Sequence, residues 1–341
     1  MKPSSLLKVA TLGLSLQASA AALAADACDR ACLEDFVDRY LAAVIDNKPS
    51  TLPLAPDVKF TEDGQRLVIG DGLWNTMKGT GKYRLFTTDV KAGQVAFIGT
   101  IFEDHRDPAQ STPALIAVRL KIENQTITQI EQIVVRNENS AKAVDAMTVR
   151  PGLLATVPVG ERKPREELIK VANMYFTGMQ QNDGRGEYPF ADDCDRLENG
   201  GRSTNAPTPA GQTRPDPKTA TNYSGQWSCK EQFQSGLIHF VHRIRDRRFV
   251  AVDEERGIVF AFGFFDHPGG ETRNFETPDG RKVSAGPVQP WTWQIAELFK
   301  VQGGKIHEIE AILQRSPYGM NSGWSTWEEG MSDQMRDVTM E

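Results

Sequence analysis

Apolar residues recur at helical spacing twice along the chain, at Leu33, Phe36, Val37, Tyr40, Leu41 and Val44 and again at Leu168, Val171, Ala172, Tyr175, Phe176 and Met179. Each set predicts an amphipathic helix that buries one face. A polar turn ends each one, and a short strand follows that carries Glu62-Asp63-Gly64 in the first case and Glu198-Asn199-Gly200 in the second. The period then becomes that of strands. Residues 95–102, 115–122 and 127–135 follow the first helix, and 258–265, 293–301 and 306–313 follow the second, all rich in β-branched and aromatic side chains. Between these, only residues 229–237 carry a partly helical pattern. A helix first and an antiparallel sheet after it is an α+β arrangement.

The two runs of elements repeat one another. Residues 54–64 lie over 190–200 at a constant offset of 136, Asp89 and residues 93–95 match Asp253 and 257–259 at 164, and 116–136 matches 295–315 at 179. The offset grows by 28 and then by 15, so the second copy holds two insertions. The first falls in the Pro/Gly/Thr-rich stretch 204–225, which has loop chemistry. The expected division is a leader over 1–24, a first domain over 25–156, a second over 165–324 and a tail over 325–341, with a joint at 157–164.

The leader reading rests on residues 1–24, which contain no acid, carry Lys2 and Lys8, and run through an apolar stretch to Ala22-Leu23-Ala24. That is the pattern of a secretory signal peptide cleaved after Ala24, with an apolar core too short to span a bilayer. The expected location is secreted or periplasmic. Cleavage removes two lysines and no acid, which takes the formal net charge from −6 to −8. An acidic chain has no electrostatic footprint for nucleic acid or an anionic membrane surface. Four cysteines in an exported chain read as two disulfides, and pairing Cys28 with Cys32 and Cys194 with Cys229 keeps each bridge within one half. No CxxC spacing favours zinc.

The opening helix, the polar turn, Phe190-Ala191-Asp192-Asp193, the strand with Glu198-Asn199 and the closing hairpin of residues 298–310 resemble the nuclear transport factor 2-like superfamily, which includes the SnoaL-like cyclases and steroid isomerases. The resemblance covers residues 31–136 and 165–315. It implies an α+β fold of two tandem cones, each a curved antiparallel sheet wrapped around helices with an apolar cavity at its open end. It also implies that the sheets pair as an internal pseudo-dimer, the chain being a monomer or a homo-oligomer of such units. The stretch Val252-Asp253-Glu254-Glu255-Arg256-Gly257, the Phe265-Asp266-His267-Pro268 turn and residues 318–324 resemble a secreted family of fungi and bacteria without assigned chemistry.

In steroid isomerases a carboxylate base sits on the strand of the Glu-Asp pair, and the matching residue here is Asp63 in copy one but Asn199 in copy two. The proton-transfer role in copy two then passes to Asp266 and His267 at a strand tip, to Glu310 on the closing strand, or to Glu198. An acid in or beside an apolar cavity has raised proton affinity, which suits general acid/base work. The resemblance also gives Tyr175 a role as hydroxyl donor. Candidate ligand contacts are Trp291, Trp293, Tyr318, His239, His242 and Asn199, since aromatic residues and four of the five histidines concentrate in this half. His239 and His242 are two intervening residues apart, with no third ligand evident, so no metal site is expected.

No phosphate-binding loop, nucleophile elbow or cofactor fingerprint occurs, and no cofactor is expected. The leading expectation is an exported lyase, isomerase or dehydratase that acts on a small apolar, aromatic or polycyclic molecule by general acid/base catalysis. The alternatives are a hydrophobic-ligand-binding module without chemistry and a purely structural protein, because a fold does not fix a reaction.

Overall fold

Helix α1 (Arg30–Ile45) starts where the Asp29 carboxylate accepts a hydrogen bond from the Cys32 N–H. The Cys28–Cys32 disulfide spans this first turn. The structure is a computed structural model that describes residues 28–338, so the expected leader lies outside the described residues. The apolar face of α1 packs onto a curved sheet made of β1 (Leu54–Glu62), β2 (Gln65–Arg66), β3 (Met77–Asp89), β4 (Gln94–Asp104), β5 (Ser111–Glu123) and β6 (Thr126–Val135). Their order is β2-β1-β6-β5-β4-β3, antiparallel except for the β1–β6 pair. Two short helices, α2 (Glu138–Asp145) and α3 (Pro151–Leu154), lead out of it.

Helix α4 (Arg165–Met179) opens the second half, followed by β7 (Phe190–Glu198), β8 (Gly201–Arg202), α5 (Cys229–Gln234), β9 (Arg243–Asp253) and β10 (Ile258–His267). The small hairpin β11 (Asn274–Glu276) and β12 (Lys282–Ser284) precedes β13 (Trp291–Gln302) and β14 (Lys305–Ser316). The chain ends in α6 (Trp327–Met331) and β15 (Met335–Asp337). The second sheet runs β8-β7-β14-β13-β10-β9-β15, the order of the first with one strand added at its edge. The Cys194–Cys229 disulfide ties β7 to α5, so both expected pairings are present. The second sheet reaches beyond residue 324, because β15 pairs with β9.

Strand alternation gives each sheet two buried faces. In the first, Phe97, Ile116 and Val118 face helix α1 while Ala96, Ile98 and Ala117 face away. In the second, Ile295, Phe299 and Ile309 face α4 while Ala296, Leu298 and Ile312 face away. The outward sets of the two sheets meet in one buried apolar layer, joined by Tyr83, Leu85, Val250, Phe260 and Phe262. Ion pairs cross the same layer: the Glu131 carboxylate receives both terminal nitrogens of Arg248, at 2.7 and 2.8 Å.

Two strands lack a readable sequence signal. β3 contains two glycines and alternates weakly, and β9 reads Arg243-Ile244-Arg245-Asp246-Arg247-Arg248, a charged run. Arg245 and Arg248 are buried against acids and Arg247 against the neutral side chains of Asn173 and Thr177 on α4, so tertiary pairing overrides the composition. Among the described residues no helix is long and apolar enough to cross a membrane.

Candidate functional site

The concave face of the second sheet assembles the site. On β10, Phe265 and His267 point toward the helix side, and on β13 the residues Trp293, Ile295, Glu297 and Phe299 share that face. On β7 the inward positions are Cys194, Arg196 and Glu198, and on β14 they are Ile309, Ala311 and Leu313. Together with Ile238, Phe240 and Val241 from the segment after α5, these strands leave a cavity of about 120 Å³. Its polar groups are Arg196, Glu198, His267, the Tyr223 hydroxyl and the Trp293 indole, and the rest of its walls are apolar.

His267 is buried and stacks on Trp291, with ring centroids 4.4 Å apart and planes 14° from parallel. Its Nδ1 lies 3.0 Å from the Phe265 carbonyl oxygen. A carbonyl only accepts, so Nδ1 carries the proton and Nε2 the lone pair. Burial pushes the imidazole pKa down to about 4, so the ring is neutral at physiological pH.

Opposite, the buried Arg196 guanidinium organises the polar wall. It donates to the Tyr175 hydroxyl at 3.1 Å, to Tyr223 at 2.5 Å and to Gln232 at 2.9 Å, and its Nε lies 3.2 Å from the Glu198 carboxylate. Behind this pair lies Glu297, only 1% exposed, with Oε2 making no hydrogen bond. Burial and then the charge of Glu198 push its carboxyl pKa up to about 8, so it holds its proton at neutral pH. Tyr175 is packed among Phe176, Phe190, Phe233 and Phe299, and burial pushes its hydroxyl well above the ordinary range. Arg196 and Glu297 were not among the candidates read from sequence. The period-2 pattern that places Trp293 inward places Glu297 inward with it, and that signal was available.

Of the expected site residues, the structure gathers Glu198, His267 and Trp293 on one cavity, with Trp291 behind the histidine and Tyr175 beneath Arg196. Others lie elsewhere. Asp266 points to the opposite face of β10, where it receives Arg243, Arg245 and the Thr292 hydroxyl. Burial works against its charge, but those bonds outweigh it and hold the carboxyl below the ordinary range. Glu310 lies on the inter-sheet face of β14, bonded to Tyr83 of the first half and to Arg150, and burial pushes its carboxyl up. Asn199 sits in the turn after β7 with φ 47°, its amide bonded to the backbone of Leu313. His239 meets the Asn182 carbonyl and the Phe275 ring, His242 is exposed beside Gln181, and Tyr318 is exposed.

A family model described as "Domain of unknown function (DUF8021)" matches residues 161–313, which contain this cavity. No curated protein matches the chain. Among solved structures, AclR, a putative hydroxylase from Streptomyces galilaeus, aligns at 15% identity over 39% of this chain and 92% of its own, with a TM-score of 0.26. A de novo designed protein with a curved β-sheet aligns at 18% identity over 45% of this chain and 88% of its own, with a TM-score of 0.23.

Proposed function

We propose that the chain is an exported, cofactor-independent lyase, isomerase or dehydratase built from two tandem nuclear transport factor 2-like cones, the second of which binds a small apolar molecule and moves a proton on it. The observation that carries this reading is the convergence of Arg196, Glu198 and His267 on one cavity with otherwise largely apolar walls. Neighbouring groups whose environments push their proton affinities apart mark an acid and a base. Here the imidazole is held neutral while Glu297, behind Glu198, retains its proton. His267 Nε2 takes a proton from the ligand, and the imidazolium so formed returns one to the product.

The volume limits the ligand. A cavity of roughly 150 Å³ takes up benzene, so about 120 Å³ suits a single ring or a branched chain of similar size. The tandem reading is supported by the shared strand order and by matching turns, Asp63-Gly64 at φ 49° and 77° and Asn199-Gly200 at φ 47° and 76°. In the first half Leu73 and Trp74 pack into the core beside Tyr40, which fits a packing partner. Export is supported by the two disulfides.

A second reading, binding without chemistry, is favoured by the ion pair that Glu198 already makes with Arg196. The test uses benzene and 4-hydroxy-4-methylpentan-2-one with the wild-type protein and the Leu313→Trp variant, which fills the cavity. In the cleavage, the imidazole takes the hydroxyl proton, a carbon–carbon bond breaks, and the imidazolium protonates the departing enolate, giving two molecules of acetone. Saturation-transfer NMR showing binding lost in Leu313→Trp supports the site, and acetone formed only by wild type supports the enzyme. Binding without acetone favours the second reading. No binding to wild type overturns both.

A further inference from the structure

The His267 edge specifies the chemistry of the occupant. Trp291 stacks on the imidazole face, Phe240 lies 6.0 Å away at 30°, and the Phe265 carbonyl holds Nδ1–H. The ring is therefore fixed in position and in tautomer. Nε2 has no hydrogen-bond donor among the described residues, yet it is not among the buried side-chain atoms that lack both a partner and access to open space. It is an acceptor that reaches free volume. The donors on the opposite wall are committed: Arg196 to Tyr175, Tyr223, Gln232, Ser203 and Glu198, and the Tyr223 hydroxyl to the Ser203 carbonyl. The one formal positive charge on the wall is matched by the Glu198 carboxylate.

We infer that the occupant of this cavity is a neutral single-ring molecule that carries one hydrogen-bond donor, a hydroxyl or an N–H, received by His267 Nε2. The inference rests on the cavity reading above and narrows it. An ether or a carboxylate would set lone pairs against the Nε2 lone pair, and a charged ligand would leave a buried charge without a counter-ion. A bare hydrocarbon fits the walls but leaves Nε2 without a donor.

Isothermal titration of the full exported chain with phenol, anisole, benzene and benzoate at pH 7 tests this. Phenol is expected to bind at least about tenfold more tightly than benzene or anisole, as one buried hydrogen bond gained against an unmet acceptor allows, with benzoate weakest. In His267→Phe the phenol preference over benzene should fall to within about twofold while benzene still binds. If that variant fails to fold, the wild-type ranking decides. Equal affinities of wild type for phenol, anisole and benzene overturn the inference and leave the cavity reading standing. Failure of every ring to bind overturns the cavity reading and the inference with it.

Discussion

Asp63 and Asn199 occupy the same place in the two halves of the chain. Each follows the first strand of its half with left-handed backbone, φ 49° and 47°, and each bonds the strand alongside. The Asp63 N–H donates to the Gln132 carbonyl and its Oδ1 accepts from the Val134 N–H, at 3.0 and 2.8 Å. Asn199 repeats both contacts with Ala311 and Leu313, at 2.8 and 2.9 Å. Asx residues tolerate left-handed turns and bond nearby backbone, so either residue serves. A turn role accounts for the exchange of acid for amide without appeal to catalysis.

Asp63→Asn should therefore be tolerated. Burial pushes the Asp63 carboxyl up to about 6, above its ordinary 3.8, so the folded state holds the proton longer than the unfolded chain. Its contribution is fully present below pH 3.8 and is lost as pH rises to about 6. The amide removes that loss and keeps the acceptor. Urea unfolding should show the variant about 1–2 kcal/mol more stable at pH 7 and equal to wild type near pH 3.5. A less stable variant at pH 7 would show that Asp63 is needed as a carboxylate.

Glu131 joins the two sheets through Arg248 and also meets Arg119, all three being buried. Removing one member of such a cluster leaves buried charge without a partner. Glu131→Gln should cost about 3–5 kcal/mol in chemical denaturation, and it should do so while both halves still unfold in one transition. Two separated transitions in the wild type would mean that the shared apolar layer does not couple the halves.

Cleavage of the joint tests the same layer differently. Val159 is exposed, whereas Val157 is buried and its N–H donates to the Glu255 carbonyl of the second half. A protease site placed at 159–161 should be cut, and the fragments should co-elute on a sizing column under native conditions. Fragments that separate would show that the inter-sheet contacts do not hold without the covalent link.

Much of this fold was legible because its period is regular. The helices that open each half, the three long strands of each sheet and both disulfides follow from spacing and cysteine placement. β3 was not legible because its two glycines blur the alternation, and β9 was not because Arg243 and Arg245 pair with Asp266 and Arg248 with Glu131, partners distant in sequence. The site divided along the same line. Asp266 and His267 are adjacent in sequence, and strand alternation sends them to opposite faces, one into an arginine cluster and one into the cavity. Glu297 was hidden in an apolar strand, where its isolation was the clue.

Glu297 makes the sharpest prediction about pH. Its folded-state pKa of about 8 lies well above the ordinary 4.5, so the stability it contributes is fully present below pH 4.5 and is lost as pH rises to about 8. His267 works the other way in a narrower window: its pKa is depressed from 6.5 to about 4, so stability is lost as pH falls through that range. Glu297→Gln keeps a polar side chain of the same size beside Tyr175 and removes the charge. The variant should match wild type near pH 4.5 and exceed it by on the order of 2–4 kcal/mol at pH 8.5. His267→Phe should instead flatten the loss between pH 6.5 and 4 and leave the alkaline side unchanged. Denaturation midpoints of the three proteins across pH 4–9 separate the two groups, and identical curves for wild type and Glu297→Gln would place an ionised carboxylate at that position throughout.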